Sequence, residues 1–260
     1  MKNLVIVIQV FILVLSCAGA ATYATKSSVD QLETVAETVM NHDHSAWDAL
    51  LKKYVAEDGA VDYDGFKKDE KALKMYLVDL GSNPINKQAS KNERLAYYIN
   101  LYNASIIEII IDNDQPESIK DLGSFLSPVW KKDFIKVGDE LWSLDNIEKG
   151  VLQKMGDPRI HFAINCASYS CPKLQNQAFT SENMDSLMNK AAGEFINSDK
   201  NDLSDPDNPK LSEIFKWYRS DFTNAGMTII EYVNKYAETK ISDGASIDYL
   251  DYDWSLNKQS

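Results

Sequence analysis

Residues 92–111, NERLAYYINLYNASIIEIII, form the segment that decides the fold. Apolar side chains fall on nearly every face of a helix built from this segment, so we expect that helix to be buried among other elements. Its polar residues recur at i, i+4 and i+7 and one turn beyond, which places them on one stripe: Glu93, Tyr97, Asn100 and Asn103. An unpartnered buried polar group costs about 1–3 kcal/mol. The stripe therefore either faces a functional site, or Glu93 caps the helix and the asparagines bond neighbouring loop backbone.

Helical patterns surround this central segment, and strand patterns are few. Helices are predicted at 29–40, 45–54, 64–81 and 182–197, and short helical or mixed elements at 211–222 and 227–236. Two alternating runs at 133–144, DFIKVGDELWSL, are typical of a β-hairpin, and 160–166 is a further strand candidate. The fold class that follows is α+β, with helices packed on a small, mostly antiparallel sheet.

The composition excludes several classes of protein. Of the 260 residues 44% are hydrophobic, including 13 Tyr, 9 Phe and 5 Trp, which is enough apolar area to offset chain entropy and exclude a disordered chain. The formal net charge of −12 argues against a partner with a phosphate backbone, so no nucleic acid is expected. Three cysteines are too few for a disulfide scaffold. The glycine patterns of phosphate and dinucleotide loops are absent from the sequence, and we expect no cofactor.

Residues 1–20 have the form of a secretory signal peptide. Lys2 precedes the apolar run 4–15, and small residues follow it. An apolar run of about a dozen residues is too short to span a bilayer, for which about 20 are needed. We therefore expect export, to the periplasm or the medium.

Two ways of processing this segment remain open. Ala18-Gly19-Ala20 fits an ordinary signal-peptidase site, whereas the four residues ending in Cys17 resemble a bacterial lipobox, in which Cys17 would carry the lipid. A lipidated Cys17 is the one membrane contact that we expect. Residues 21–44 would then be a tether with a short helix, and 45–260 a single domain, because no long linker or repeat interrupts them.

Residues 157–174, DPRIHFAINCASYSCPKL, contain the groups needed for thiol chemistry. A thiol nucleophile needs a base to form thiolate near neutral pH, histidine is the usual base, and a third polar group orients the imidazole. His161, Cys166 and Cys171 supply the first two parts. In one regular strand His161 and Cys166 would face opposite sides, roughly 16 Å apart. They can meet only if the chain bends near 165–168.

Structural interpretations of the same residues stand beside the catalytic one. Cys166 and Cys171 could form a disulfide across a tight turn, which an exported location allows. Either cysteine could be a plain buried residue, and His161 could be a core histidine. The His-Asp-His run at 42–44 precedes a helix, where Asp caps, and the cysteine spacing is not that of a zinc site, so we expect no metal.

Two long blocks, 92–107 and 157–174, resemble the signature blocks of domain-of-unknown-function family 547. Shorter supporting pieces lie at 47–63, 143–152 (SLDNIEKGVL) and 211–222 (LSEIFKWYRSDF). The resemblance covers roughly residues 47–222. It implies a papain-like core in a permuted arrangement, with glutamate, histidine and cysteine in that chain order.

Carried onto this sequence, the resemblance implies Glu93 as the orienting acid, His161 as the base and Cys166 as the nucleophile. Cys166 is favoured over Cys171 because the second cysteine of the block is often serine in plant members of the family. The implied activity is that of an exported cysteine hydrolase of peptide or γ-glutamyl amide bonds, with a small peptide or glutathione-like substrate.

Carboxamides near the nucleophile are candidates for binding substrate or the oxyanion, namely Asn100, Asn103 and Asn165. A hypothesis from a different class is a non-catalytic binding or scaffold protein. In that protein Cys166 and Cys171 would form a structural disulfide.

Overall fold

The computed structural model describes residues 42–224 and 226–259. The predicted signal segment, Cys17 and the helix at 29–40 lie outside the described residues. The helices, in chain order, are α1 Ser45–Tyr54, α2 Tyr63–Lys68, α3 Glu70–Ser82, α4 Lys91–Asp112, α5 Leu144–Ile147, α6 Ile160–Ala163, α7 Met184–Ile196, α8 Ile214–Trp217, α9 Arg219–Thr223 and α10 Ile229–Asn234. The strands are β1 Ile135–Val137, β2 Glu140–Trp142, β3 Lys210–Ser212 and β4 Asp248–Leu250. A π-helical turn, Glu148–Leu152, follows α5.

The predicted central helix is confirmed as α4, whose buried residues lie on every face. It begins with a capping box in which Ser90 Oγ accepts a hydrogen bond from the Glu93 amide at 3.2 Å and Glu93 Oε2 accepts one from the Ser90 amide at 2.7 Å. The helices α2, α3 and α7 pack against it. Among the described residues, no helix combines the length and the apolarity that crossing a membrane requires.

The strands form two separate pairs within the described part of the chain. The predicted hairpin is confirmed: β1 and β2 are antiparallel and joined through Gly138, whose φ of +62° suits glycine. The strands β3 and β4 are parallel. The fold is therefore mostly helical α+β, and the expected single, mostly antiparallel sheet is replaced by one antiparallel and one parallel pair.

Two predicted elements differ in the structure. The helix expected at 64–81 is two helices, α2 and α3, separated at Asp69, whose Oδ2 accepts hydrogen bonds from Lys53 Nζ and Tyr54 Oη. The strand expected at 160–166 is wrong, because residues 160–163 form the helical turn α6. The reason is the preceding Asp-Pro pair: Asp157 Oδ1 accepts from the Arg159 amide at 3.1 Å, and proline is favoured in a first helical turn.

Two hydrophobic clusters fill the interior of the described chain, and α6 contributes to both. Ile160 and Ala163 belong to the larger cluster, which surrounds α4. Phe162 belongs to the smaller cluster, with residues from the second half of α7 and from α8 to α10. The turn that carries His161 therefore lies where the two clusters meet.

The C-terminal strap, residues 251–259, runs antiparallel to the segment that follows Cys166. The Tyr169 amide donates to Ser255 O at 2.7 Å, and the Asn257 amide donates to Ala167 O at 3.0 Å. These main-chain bonds fix the position of the cysteine segment against a part of the chain more than 80 residues away.

Candidate active site

A cavity of about 380 Å³ contains the three residues that the sequence singled out for thiol chemistry. Both cysteines and His161 line it, together with residues from α4, the π-helical turn, α8 and the strap: Tyr102, Glu148, Ile214, Trp217, Tyr252 and Trp254. This volume lies within the range of small-molecule sites.

His161 is held by one acid and two aromatic rings. Its Nε2 lies 2.8 Å from Asp221 Oδ2, and the imidazole stacks on Tyr218 with ring centroids 3.9 Å apart and contacts Phe222. The hydrogen bond to His161 lowers the pKa of Asp221, so that this carboxyl is ionised and Nε2 carries the proton. The other nitrogen, Nδ1, is buried without a hydrogen-bond partner. A neutral imidazole protonated at Nε2 has its basic lone pair at Nδ1.

Cys166 lies at a sharp bend of the chain. Ala167 has a φ of +62°, a left-handed conformation that costs a non-glycine residue about 1–2 kcal/mol. The Asn165 side chain stabilises it: Oδ1 accepts from the Ala167 amide at 2.8 Å, and Nδ2 donates to Pro172 O at 2.7 Å. The Cys171 amide donates to Ser168 O at 3.0 Å and closes the turn. Strain of this kind is common next to reacting groups.

Three polar groups surround the Cys166 thiol. Its Sγ lies 3.0 Å from Cys171 Sγ, 3.4 Å from Tyr252 Oη and 3.5 Å from Ser168 Oγ. Hydrogen bonding, first of all to Cys171, lowers the pKa of Cys166 below the ordinary thiol value. Burial raises the pKa of Cys171. Cys166 is thus the cysteine that ionises first.

The two cysteines are free thiols. Their sulfur separation of 3.0 Å exceeds a disulfide bond, which is about 2.05 Å. In this structure the two sulfurs are in contact without a bond between them, and the disulfide considered for Cys166 and Cys171 stays a prediction.

The expected hydrogen bond between Cys166 and His161 is also not formed. The Cys166 thiol bonds to Cys171, Ser168 and Tyr252, while His161 Nδ1 has no partner, although both side chains line one cavity. Catalytic hydrogen bonds are often loose in an unliganded enzyme and tighten when substrate binds.

The expectation that Glu93 stands behind the imidazole is not met. The Glu93 carboxylate accepts from the Ser90 amide in the capping box of α4, and Asp221 occupies the place next to His161. Local sequence explains the error, because Ser90 followed by Glu93 is itself a capping signature. Asp221 stands in the segment 211–222, whose pattern predicts a short helical or mixed element and gives no sign of a role beside His161.

The three candidate asparagines hold backbone. Asn100 bonds both the amide and the carbonyl of Phe179, at 3.1 and 2.7 Å. Asn103 accepts from the Asn165 amide at 2.9 Å and donates to Ala163 O at 3.0 Å. With Asn165 committed to the cysteine bend, all three carboxamides are occupied and lie outside the lining of the cavity. The structure favours the alternative interpretation, in which the asparagines bond loop backbone.

Glu148 is a candidate that the sequence reasoning missed. It is 3% exposed, it lines the cavity, and its Oε1 has no hydrogen-bond partner. Burial raises the pKa of Glu148, and the Tyr218 hydroxyl has a smaller, lowering effect. The residue stands in SLDNIEKGVL, one of the pieces that resemble the family.

The histidines before α1 have structural partners. His44 Nδ1 lies 2.7 Å from Tyr76 Oη, and His42 Nε2 contacts the carbonyl of Asn83. Across residues 42–224 and 226–259, no group of three or more His, Cys, Asp or Glu residues is arranged to hold a metal ion.

Comparison with known proteins identifies one family. Residues 86–196 match the family described as "Protein of unknown function, DUF547", so the resemblance predicted from the sequence is confirmed over this range. The match includes His161, both cysteines and Glu148, and it ends before Asp221. No curated protein and no solved structure matched the chain.

Proposed function

We propose that this chain is a thiol hydrolase of peptide or γ-glutamyl amide bonds, with Cys166 as nucleophile and His161 as base. One observation carries the proposal: a cavity contains a thiol of lowered pKa together with a buried histidine whose Nε2 is paired with Asp221 and whose Nδ1 is unpartnered. Buried polar atoms without partners are rare in folded proteins, and a catalytic role is one explanation for them.

In the proposed reaction Cys166 loses its proton to His161 Nδ1, and the thiolate attacks the substrate carbonyl. The imidazolium then protonates the leaving amine, which leaves a thioester that water hydrolyses with His161 again as base. Asp221 keeps the proton on Nε2 and stabilises the imidazolium. The main-chain amide of Cys166, which donates to Cys171 Sγ in the free protein, is a donor available to the oxyanion.

The size of the cavity and the family resemblance support a small substrate. About 380 Å³ accommodates a short peptide or a glutathione-like γ-glutamyl peptide. Export to the periplasm or medium, and a permuted papain-like arrangement of the core, remain parts of this proposal.

A second candidate function is a non-catalytic binding or scaffold protein in which the cysteines form a disulfide. The observation that favours it is the sulfur contact of 3.0 Å. In a scaffold protein, however, the pairing of His161 with Asp221 and the unpartnered Nδ1 would have no role.

Alkylation of the full chain with iodoacetamide, followed by peptide mapping, tests the proposal. We expect Cys166 to react fastest, with a pH midpoint below the value of about 8.5 typical of cysteine. We also expect Cys166→Ala to lose amide hydrolysis, while Cys171→Ala keeps a measurable rate.

Preferential labelling of Cys171 would overturn the assignment of the nucleophile. Two sulfurs that react only after reduction would support the scaffold protein instead.

A further inference from the structure

One wall of the cavity is a continuous set of aromatic rings. Tyr252 contacts Trp217 and Trp254, with ring centroids 4.8 and 4.5 Å apart, the two tryptophans lie 5.8 Å from each other, and Trp130 lies 5.7 Å from Trp254. Trp217 is 45% exposed, although it lines the cavity. Aromatic faces of this kind attract cations through their π-electrons.

A buried carboxyl group belongs to a residue that lines the same cavity. Only 3% of the surface of Glu148 is exposed, and no donor is hydrogen-bonded to its Oε1. The neighbouring Lys149 is paired with Asp145 at 2.8 Å, and Lys131, which also lines the cavity, forms no ion pair with Glu148. A buried carboxylate is costly unless a donor satisfies it.

We propose that Glu148 and the aromatic wall form a subsite for the ammonium group of a substrate. The N–H bonds of an ammonium group would supply the donors that Oε1 lacks, and its carbon side would pack on the rings. This inference rests on the proposed function, because it makes the preferred substrates of Cys166 peptides with a free amino group close to the scissile bond.

The test measures binding to a full chain that carries Cys166→Ala, by titration of tryptophan fluorescence. The ligands are alanyl-alanine amide, its N-acetyl derivative, and N-acetyl-lysine methylamide. The first carries an α-amine, the second no amine, and the third a side-chain amine. We expect at least one amine ligand to bind about tenfold more tightly than the acetylated dipeptide, and the tighter of the two identifies the source of the ammonium group.

Glu148→Gln should abolish this preference, whereas the matched control Asp145→Asn, also on the cavity lining, should keep it. Thermal unfolding of each variant establishes that it is folded, and Trp217→Ala provides an independent variant that should weaken binding of the amine ligands. Equal binding of amine and acetylated ligands, or a preference that survives Glu148→Gln, would overturn the subsite.

The outcome is separable from that of the proposed function. A preference for amines in the variant without the thiol supports the subsite even if wild-type chain hydrolyses nothing. Conversely, hydrolysis by the wild-type chain without such a preference removes only the subsite.

Discussion

Asp221 determines which nitrogen of His161 can accept a proton. Its carboxylate lies 2.8 Å from Nε2, while the ring is held by stacking on Tyr218. The imidazole is buried, so Nε2 cannot exchange its hydrogen bond to Asp221 for one to bulk water. The candidate site therefore depends on one charge-assisted hydrogen bond, between His161 and Asp221.

Replacing this acid is the first prediction. Asp221→Ala should lower kcat for amide hydrolysis by about a hundredfold or more, because His161 loses the group that fixes its tautomer. The KM should change much less, since Asp221 does not line the cavity.

Glu93→Ala is the matched control for this change, because the family resemblance implied the same role for Glu93. It removes the capping box of α4 and should cost about 1 kcal/mol in urea unfolding, with kcat preserved. Loss of kcat in Glu93→Ala and its retention in Asp221→Ala would reverse the two roles.

The cysteine bend is held at two places by distant elements. Asn103 on α4 bonds residues 163 and 165, before the bend, and the strap bonds residues 167 and 169, after it. The left-handed Ala167 lies between these supports. The position of the thiol therefore depends on α4 and the strap as much as on its own loop.

A second prediction concerns the support from α4. Asn103→Ala leaves a buried carbonyl and a buried amide unpaired, which should destabilise the protein by about 1–3 kcal/mol and slow alkylation of Cys166. Asn113→Ala, at the exposed end of the same helix, should do neither. Equal effects of both substitutions, measured by urea unfolding and iodoacetamide kinetics, would contradict the supporting role of Asn103.

The sulfur contact gives a third prediction. Diamide should oxidise Cys166 and Cys171 to a disulfide, with two hydrogens transferred to the diazene, because the sulfurs are already 3.0 Å apart. Labelling of Cys166 and hydrolysis should both cease, and dithiothreitol should restore them. Cys171→Ala should stay active under the same treatment; inactivation of that variant would indicate a different target.

Across the whole molecule, sequence reasoning succeeded where structure is local. The buried helix α4 and the hairpin follow from periodicity and turn residues within single segments. The partner of His161 lies 60 residues away, and two residues of the aromatic wall come from the strap, so no local pattern could place the first beside His161 or the other two in the cavity lining. Two local signals were overridden. The family resemblance implied a catalytic role for Glu93 in place of helix capping, and the apolar run at 160–166 suggested a strand in place of a helical turn that begins at an Asp-Pro pair.

A fourth prediction follows from His44, which joins the start of the described chain to Tyr76 of α3. Burial lowers the pKa of His44 to about 4, with a smaller lowering by His42 and an opposing effect of Asp43. The unfolded chain takes up this proton near pH 6.5 and the folded chain only near pH 4. Stability is therefore complete above pH 6.5 and falls as the pH drops towards 4, by about 3 kcal/mol.

Urea unfolding at pH 7.5 and pH 4.5 measures this loss. His44→Gln should show a smaller decrease between the two pH values than wild type, since the carboxylates titrate alike in both proteins. An identical decrease would show that His44 does not contribute to the acid sensitivity.

The strap also determines when, during synthesis of the chain, the site is completed. A chain synthesised only as far as residue 240 already contains Cys166, His161 and Asp221, but it lacks Tyr252, Trp254 and the main-chain bonds to residues 167 and 169. The thiol of such a chain has no aromatic wall beside it and no hydroxyl from Tyr252. The growing polypeptide thus carries His161 and Cys166 for more than 80 residues of synthesis before the strap completes their surroundings.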